Sequence, residues 1–135
     1  MDSQSHYFDE DPTVPSENFT VDLVLPDLTA TLRTSSGIFS SKKIDPGTKY
    51  LLQNAPRPDA TVKTALDLGC GYGPIARTLC HRFPEAQIWA TDINSRARSL
   101  TIDNVGEFGV NVEHPDHIDE AIPVSYTHLT LPTKA

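Results

Sequence analysis

Between Leu66 and Pro74 the chain reads Leu-Asp-Leu-Gly-Cys-Gly-Tyr-Gly-Pro, with glycines at three alternate positions between a short apolar run and a proline. Thr64 to Leu68 predicts a strand. Gly69 closes it, where a glycine lets the backbone take positive φ and approach a ligand with no Cβ in the way. Pro74, with its fixed φ and missing N–H, suits the first turn of a helix. Ile75, Leu79 and Phe83 then recur at i, i+4 and i+8 until Pro84 stops that helix. Gln87 to Thr91 predicts the next strand, which ends at Asp92, about 20 residues beyond the turn. Strand, glycine turn, helix, strand and acid together describe a parallel βαβ unit, with a nucleotide-cofactor site at the helix N-terminus.

The turn itself selects the cofactor. A dinucleotide requires G-x-G-x-x-G, with a third glycine that brings helix and strand together beneath a pyrophosphate. Here Gly69, Gly71 and Gly73 read G-x-G-x-G, and an acid, Asp67, stands two positions before the first of them. This resembles the first motif of the class I S-adenosylmethionine methyltransferases. Such a ligand carries a sulfonium and an ammonium and no phosphate, so a carboxylate near the turn suits it better than bare helix N–H groups. Asp92 is placed to accept hydrogen bonds from both hydroxyls of an adenosine ribose.

The resemblance narrows along the chain. Gly69-Cys70-Gly71-Tyr72-Gly73-Pro74-Ile75-Ala76, then Ala90-Thr91-Asp92-Ile93-Asn94, Ala97, Leu100 and Asn104, is similar to the small-domain methyltransferases, the family of ribosomal-RNA guanine-N2 methyltransferases. Upstream, His6-Tyr7-Phe8, Thr34-Ser35-Ser36-Gly37-Ile38-Phe39-Ser40 and Ile44-Asp45-Pro46-Gly47-Thr48 with Leu51-Leu52 are similar to the segment that precedes the cofactor turn in that family and lies against the cofactor. The resemblance implies a Rossmann-like α/β methyltransferase fold and S-adenosylmethionine as cofactor. It also implies a binding set of Asp67, Gly69, Cys70, Gly71, Gly73, Asp92 and Ile93, with Asp116 for the adenine amine and Phe39 and Thr48 as lesser candidates. The implied substrate is ribosomal RNA, in the cytoplasm. Methylation of a protein or small-molecule acceptor, and cofactor binding without turnover, remain the alternatives. The family's acceptor motif, Asn-Pro-Pro, does not occur in this sequence, so no catalytic residue is assigned.

The expected organisation is an acidic N-terminal segment, 1–18, a partial methyltransferase domain, 19–123, and a tail, 124–135. The tail, beginning Val124-Ser125-Tyr126-Thr127-His128, matches nothing in the family. It resembles a peptide found at the ends of unrelated fragmentary gene models, of the kind produced by translated adapter DNA; an ordinary loose C-terminus or short edge strand is the alternative. The expectation is therefore a C-terminally truncated domain with only the first half of its parallel sheet, and with Thr64 to Leu68 left as an exposed edge.

The remaining patterns fill in that frame. Phe19 to Leu25 and Leu28 to Thr34 alternate apolar residues around Pro26-Asp27 and predict a hairpin. Asp45 and Pro46 predict a helix start, with Tyr50, Leu51 and Leu52 supplying apolar contact before Pro56 and Pro58. Ala97, Leu100, Val105 and Phe108 stripe a later helix that Gly109 ends, and a third strand is expected near Val110 to Glu113.

Charge adds a limit. The net charge of −7 arises entirely in the first 32 residues, with seven acids and no Lys or Arg, and the remainder is balanced at eleven each way. A free-standing RNA binder is expected to show a basic face, and only Lys42-Lys43, Lys49 and Arg57 could begin one. The RNA substrate thus rests on resemblance alone. Cys70 and Cys80 are read as reduced and partly buried. His114 and His117 are too few for a metal site. No stretch has membrane length and no basic-then-apolar leader follows Met1.

Overall fold

In the computed structural model the described residues are 17–38, 43–55 and 61–118, together with the backbone of 128–132. Two strands, β1 (Asn18–Leu25) and β2 (Leu28–Ser35), form an antiparallel hairpin with Leu25 opposite Leu28. The alternation sets its faces: Val21, Leu23, Leu25, Leu28 and Leu32 are buried, while Thr20, Asp22 and Val24 are exposed. Helix α1 (Pro46–Asn54) begins as the sequence predicts, with the Asp45 carboxylate accepting the Thr48 N–H at 2.9 Å. Leu52 is buried and Leu51 half-buried, but Tyr50 is 69% exposed and contributes no core contact.

The main sheet is built from β3 (Thr64–Leu68), β4 (Gln87–Thr91), β5 (Asn111–Glu113) and β6 (His128–Pro132), all parallel, in the order β5-β4-β3-β6. Helix α2 (Pro74–Arg82) links β3 to β4, and α3 (Ser95–Val105) links β4 to β5. After Val105 the coil tightens to a 3-10 turn over Gly106–Phe108, ended by Gly109 at φ 83°. That change of pitch takes Phe108 off the helix stripe. It is 46% exposed and lies under the Arg77 guanidinium, 4.3 Å from the ring centre.

One expectation about the sheet needs correcting. Thr64 to Leu68 is not an edge: β6 pairs with it along its whole length, Thr64 opposite His128 and Leu68 opposite Pro132. Residues 128–132 of the segment read as a foreign tail thus occupy a strand position. Pro132, at the strand's last residue, ends it where its missing N–H does least harm to the ladder.

One apolar cluster unites these parts. The inner face of the hairpin, Leu52 of α1, Ile75 and Leu79 of α2, Val105 of α3 and Ala65, Ile88 and Ala90 of the sheet belong to a single core. Each fully buried leucine contributes about 2 to 3 kcal/mol by leaving water. At the far end, Arg82 reaches the hairpin turn and forms two bonds to Asp27, at 3.0 and 3.1 Å. The strand order reverses at β3, with β4 and β5 added on one side and β6 on the other, so the crevice at the carboxyl ends of β3 and β6 is the topological switch point where ligands bind in such sheets.

Candidate functional site

The carboxyl ends of β3, β4 and β5 open at one edge, and each leads directly into residues named from the sequence. After β3 come Gly69, Gly71 and Gly73, with φ of 73°, 60° and 100°, all in the left-handed region that only glycine enters freely. The required backbone, more than any side chain, explains the G-x-G-x-G spelling. At Gly71 the position a Cβ would take is open space, whereas at Gly73 it would lie 3.4 Å from Thr101. Gly71 therefore leaves room on the ligand side, and Gly73 lets α3 approach the turn.

Asp92 follows β4 and is half-buried. Its Oδ2 accepts the Gly71 N–H at 3.0 Å and its Oδ1 accepts the Asn94 N–H at 2.9 Å. Each oxygen keeps a lone pair, so the carboxylate is aimed by the backbone and still able to accept from a ligand. The Arg98 guanidinium donates to the Asp92 carbonyl at 2.7 Å, and the Cys70 N–H to the Thr91 carbonyl at 2.8 Å, tying turn and strand end together. Ile93, beside Asp92, is 49% exposed.

Asp67 is placed differently from the others. It lies on the helix-facing side of β3, 0% exposed, and neither carboxylate oxygen has a hydrogen-bond partner among the described residues. Burial pushes its pKa up to about 7, the Ala76 backbone N–H offsets part of this without a full hydrogen bond, and the nearby Asp92 charge adds to the rise. Asp67 thus sits under the turn and is not part of its open surface. Cys70 is buried too, its thiol pushed up to about 12 by burial, which makes it an inert packing residue.

Other candidates separate. Asp116 follows β5 at the same edge, its side chain 84% exposed, in a 3-10 turn where its N–H donates to His114 Nδ1 at 3.0 Å. His117 lies 3.9 Å from Glu113, and among the described residues no three His, Cys, Asp or Glu side chains converge as a metal site. Thr48 is engaged in the α1 cap, its hydroxyl donating to Asp45 at 3.2 Å. Phe39 lies outside the described residues. Among the described residues no helix is long and apolar enough to cross a membrane.

Two site residues escape a reading of the turn alone. Thr101 and Asn104, three apart on α3, donate to the Gly71 carbonyl at 2.9 Å and the Tyr72 carbonyl at 2.7 Å. Their spacing puts them on one helix face. Nothing in the sequence says what that face grips.

A family model described as "Methyltransferase small domain" matches residues 29–126. The chain belongs to this family. It is 35% identical over 105 residues to the uncharacterized protein YbxB of Bacillus subtilis (strain 168), an alignment covering 78% of this chain and 52% of that one. It is 38% identical over 97 residues to a ribosomal RNA small subunit methyltransferase C of Hahella chejuensis, covering 70% and 28%. A 16S rRNA N2 methyltransferase of T. thermophilus, solved in complex with AdoMet and guanosine, shares the fold with a TM-score of 0.64 at 22% identity, covering 92% of this chain and 35% of that one. The chain spans about half the length, or less, of these relatives.

Proposed function

We propose that this domain holds S-adenosylmethionine across the carboxyl ends of β3 and β4, beside the β3–β6 crevice, in an enzyme that methylates a guanine amine of ribosomal RNA. The observation that carries the reading is the bond from Gly71 N–H to Asp92 Oδ2, which fixes a ribose-type acceptor against the glycine turn. The residues fit the ligand. Asp92 retains acceptor capacity for a diol, Gly71 leaves open the space a Cβ would fill, Ile93 offers an exposed apolar side chain beside the ribose position, and Asp67 is a partnerless buried carboxylate near the turn. The relatives named as ribosomal-RNA methyltransferases support the substrate class.

When bound, S-adenosylmethionine supplies a methyl group already activated on a positively charged sulfur. What remains for the protein is positioning. Asp92 orients the ribose, the turn's backbone receives the amino-acid portion, the Asp67 carboxylate favours positive charge nearby, and Asp116 stands at the same edge for the adenine amine. The family's acceptor motif, Asn-Pro-Pro, is not in this sequence. The 135-residue chain is accordingly expected to bind the cofactor and to leave ribosomal RNA unmethylated.

Calorimetry with S-adenosylhomocysteine and, separately, NAD tests the reading. Binding of the first and not the second is expected, and Asp92→Ala should weaken it by about 1.5 to 3 kcal/mol, the range for losing a charge-assisted hydrogen bond. NAD binding alone would replace the reading with a nucleotide-dependent oxidoreductase. Unchanged affinity in Asp92→Ala would remove that residue from the ribose role.

A further inference from the structure

The glycine turn is three peptide planes long, and its shape is not set by its own side chains. The Cys70–Gly71 plane is held by Gly71 N–H on Asp92 and by the Cys70 carbonyl, which accepts the Gly73 N–H at 2.9 Å. The next two planes carry the Gly71 and Tyr72 carbonyls, and both carbonyls are gripped from α3, by Thr101 and Asn104. Residues flanked by glycines at positive φ have little intrinsic preference for one peptide orientation, so bonds of this kind decide it.

Asn104 also reaches the other way. Its Nδ2 donates to the Arg33 carbonyl at 2.8 Å and its Oδ1 accepts the Arg33 N–H at 2.8 Å, as a neighbouring strand would along the free edge of β2. Both amide protons and the amide oxygen are therefore in use. Aspartate would keep one of the three bonds and set a carboxylate against two carbonyls; alanine keeps none. Thr101, 0% exposed, also lies with its Oγ1 3.2 Å from Cys70 Sγ.

From these contacts we infer that Thr101 and Asn104 are positioning residues for the cofactor, a clamp from α3 that fixes the orientation of the Gly71 and Tyr72 peptides and locks the turn in register with the β1–β2 hairpin. The inference rests on the cofactor reading above. It assigns affinity to two residues that touch no ligand. It also makes the hairpin, through Arg33, part of the device that shapes the site.

The test uses the 135-residue chain and S-adenosylhomocysteine. Asn104→Ala should raise Kd at least tenfold, and Thr101→Val, which keeps the buried volume and removes the hydroxyl, should raise it three- to tenfold with little change in Tm. Asp27→Ala, at the far end of the hairpin, serves as a purely structural comparison: its Tm falls while its Kd stays within twofold of the parent. Should Asn104→Ala fail to fold, Thr101→Val carries the test alone. Kd within twofold of the parent in the folded clamp variants, whatever their Tm, would overturn the clamp. No binding by the parent chain would overturn the cofactor reading and the clamp together, and is seen before any variant is compared.

Discussion

Replacing Asp67 with asparagine is expected to stabilise the ligand-free chain at pH 8 and to do little near pH 4. The cause is a carboxylate enclosed with no hydrogen-bond partner, whose pKa rises from 3.8 to about 7 on folding, chiefly through burial. Between those values the native state holds a proton that the unfolded chain has released. The stabilising contribution is therefore complete below about pH 4 and is lost as pH climbs through 7. At about 1.4 kcal/mol for each tenfold change in proton affinity, the whole loss is at most about 4 kcal/mol, with about 2 to 3 kcal/mol of it between pH 5 and pH 8. Asparagine has nearly the same shape and does not titrate, so that part of the pH dependence should vanish. The assay is urea unfolding of both proteins at pH 5, 6, 7 and 8. Every other ionisable group is common to the two proteins, so the difference between the two curves isolates Asp67. A difference that stays constant from pH 5 to pH 8 would refute the placement of Asp67 as an unpaired buried acid.

Two further substitutions probe the frame around the site. Gly73→Ala forces a Cβ into φ 100° and to within 3.4 Å of Thr101, and should destabilise the chain by about 1 to 3 kcal/mol and weaken S-adenosylhomocysteine binding; a thermal melt matching the parent's would contradict the strained turn. Asp27→Ala leaves the Arg82 guanidinium, whose side chain is 9% exposed, without its paired acid, and should lower stability by about 1 to 3 kcal/mol, little changed by 0.5 M salt; a loss abolished by salt would mean the pair behaves as a surface contact.

How much of this was legible in the sequence follows from the range over which each signal acts. The hairpin, the Asp45 cap and the glycine turn depend on neighbours a few residues away, and their chemistry names them: Leu25 meets Leu28 across the turn at Pro26-Asp27, and three glycines are needed because three positive φ angles are needed. Phase is less forgiving. Tyr50, Leu51 and Leu52 are about 100° apart in turn around a helix and cannot all face one core, so only Leu52 is fully buried and Tyr50 points to water. Phe108 leaves its stripe because the coil tightens after Val105, which the periodicity of Ala97, Leu100 and Val105 does not foretell. The pairing of β6 beside β3 was not legible, because Thr64 and His128 meet across a parallel register between segments far apart in the chain. Asp67 was legible as an acid next to a cofactor turn and illegible as a buried, partnerless one, since strand parity and the helices above it decide that. Thr101 and Asn104 show the same boundary: spacing puts them on one face of α3, and only the fold brings that face onto the Gly71 and Tyr72 carbonyls and the edge of β2. Groups that could touch the ligand could thus be named from local spelling. The groups that hold those in place required the sheet order, because they act across elements that only the folded chain brings together.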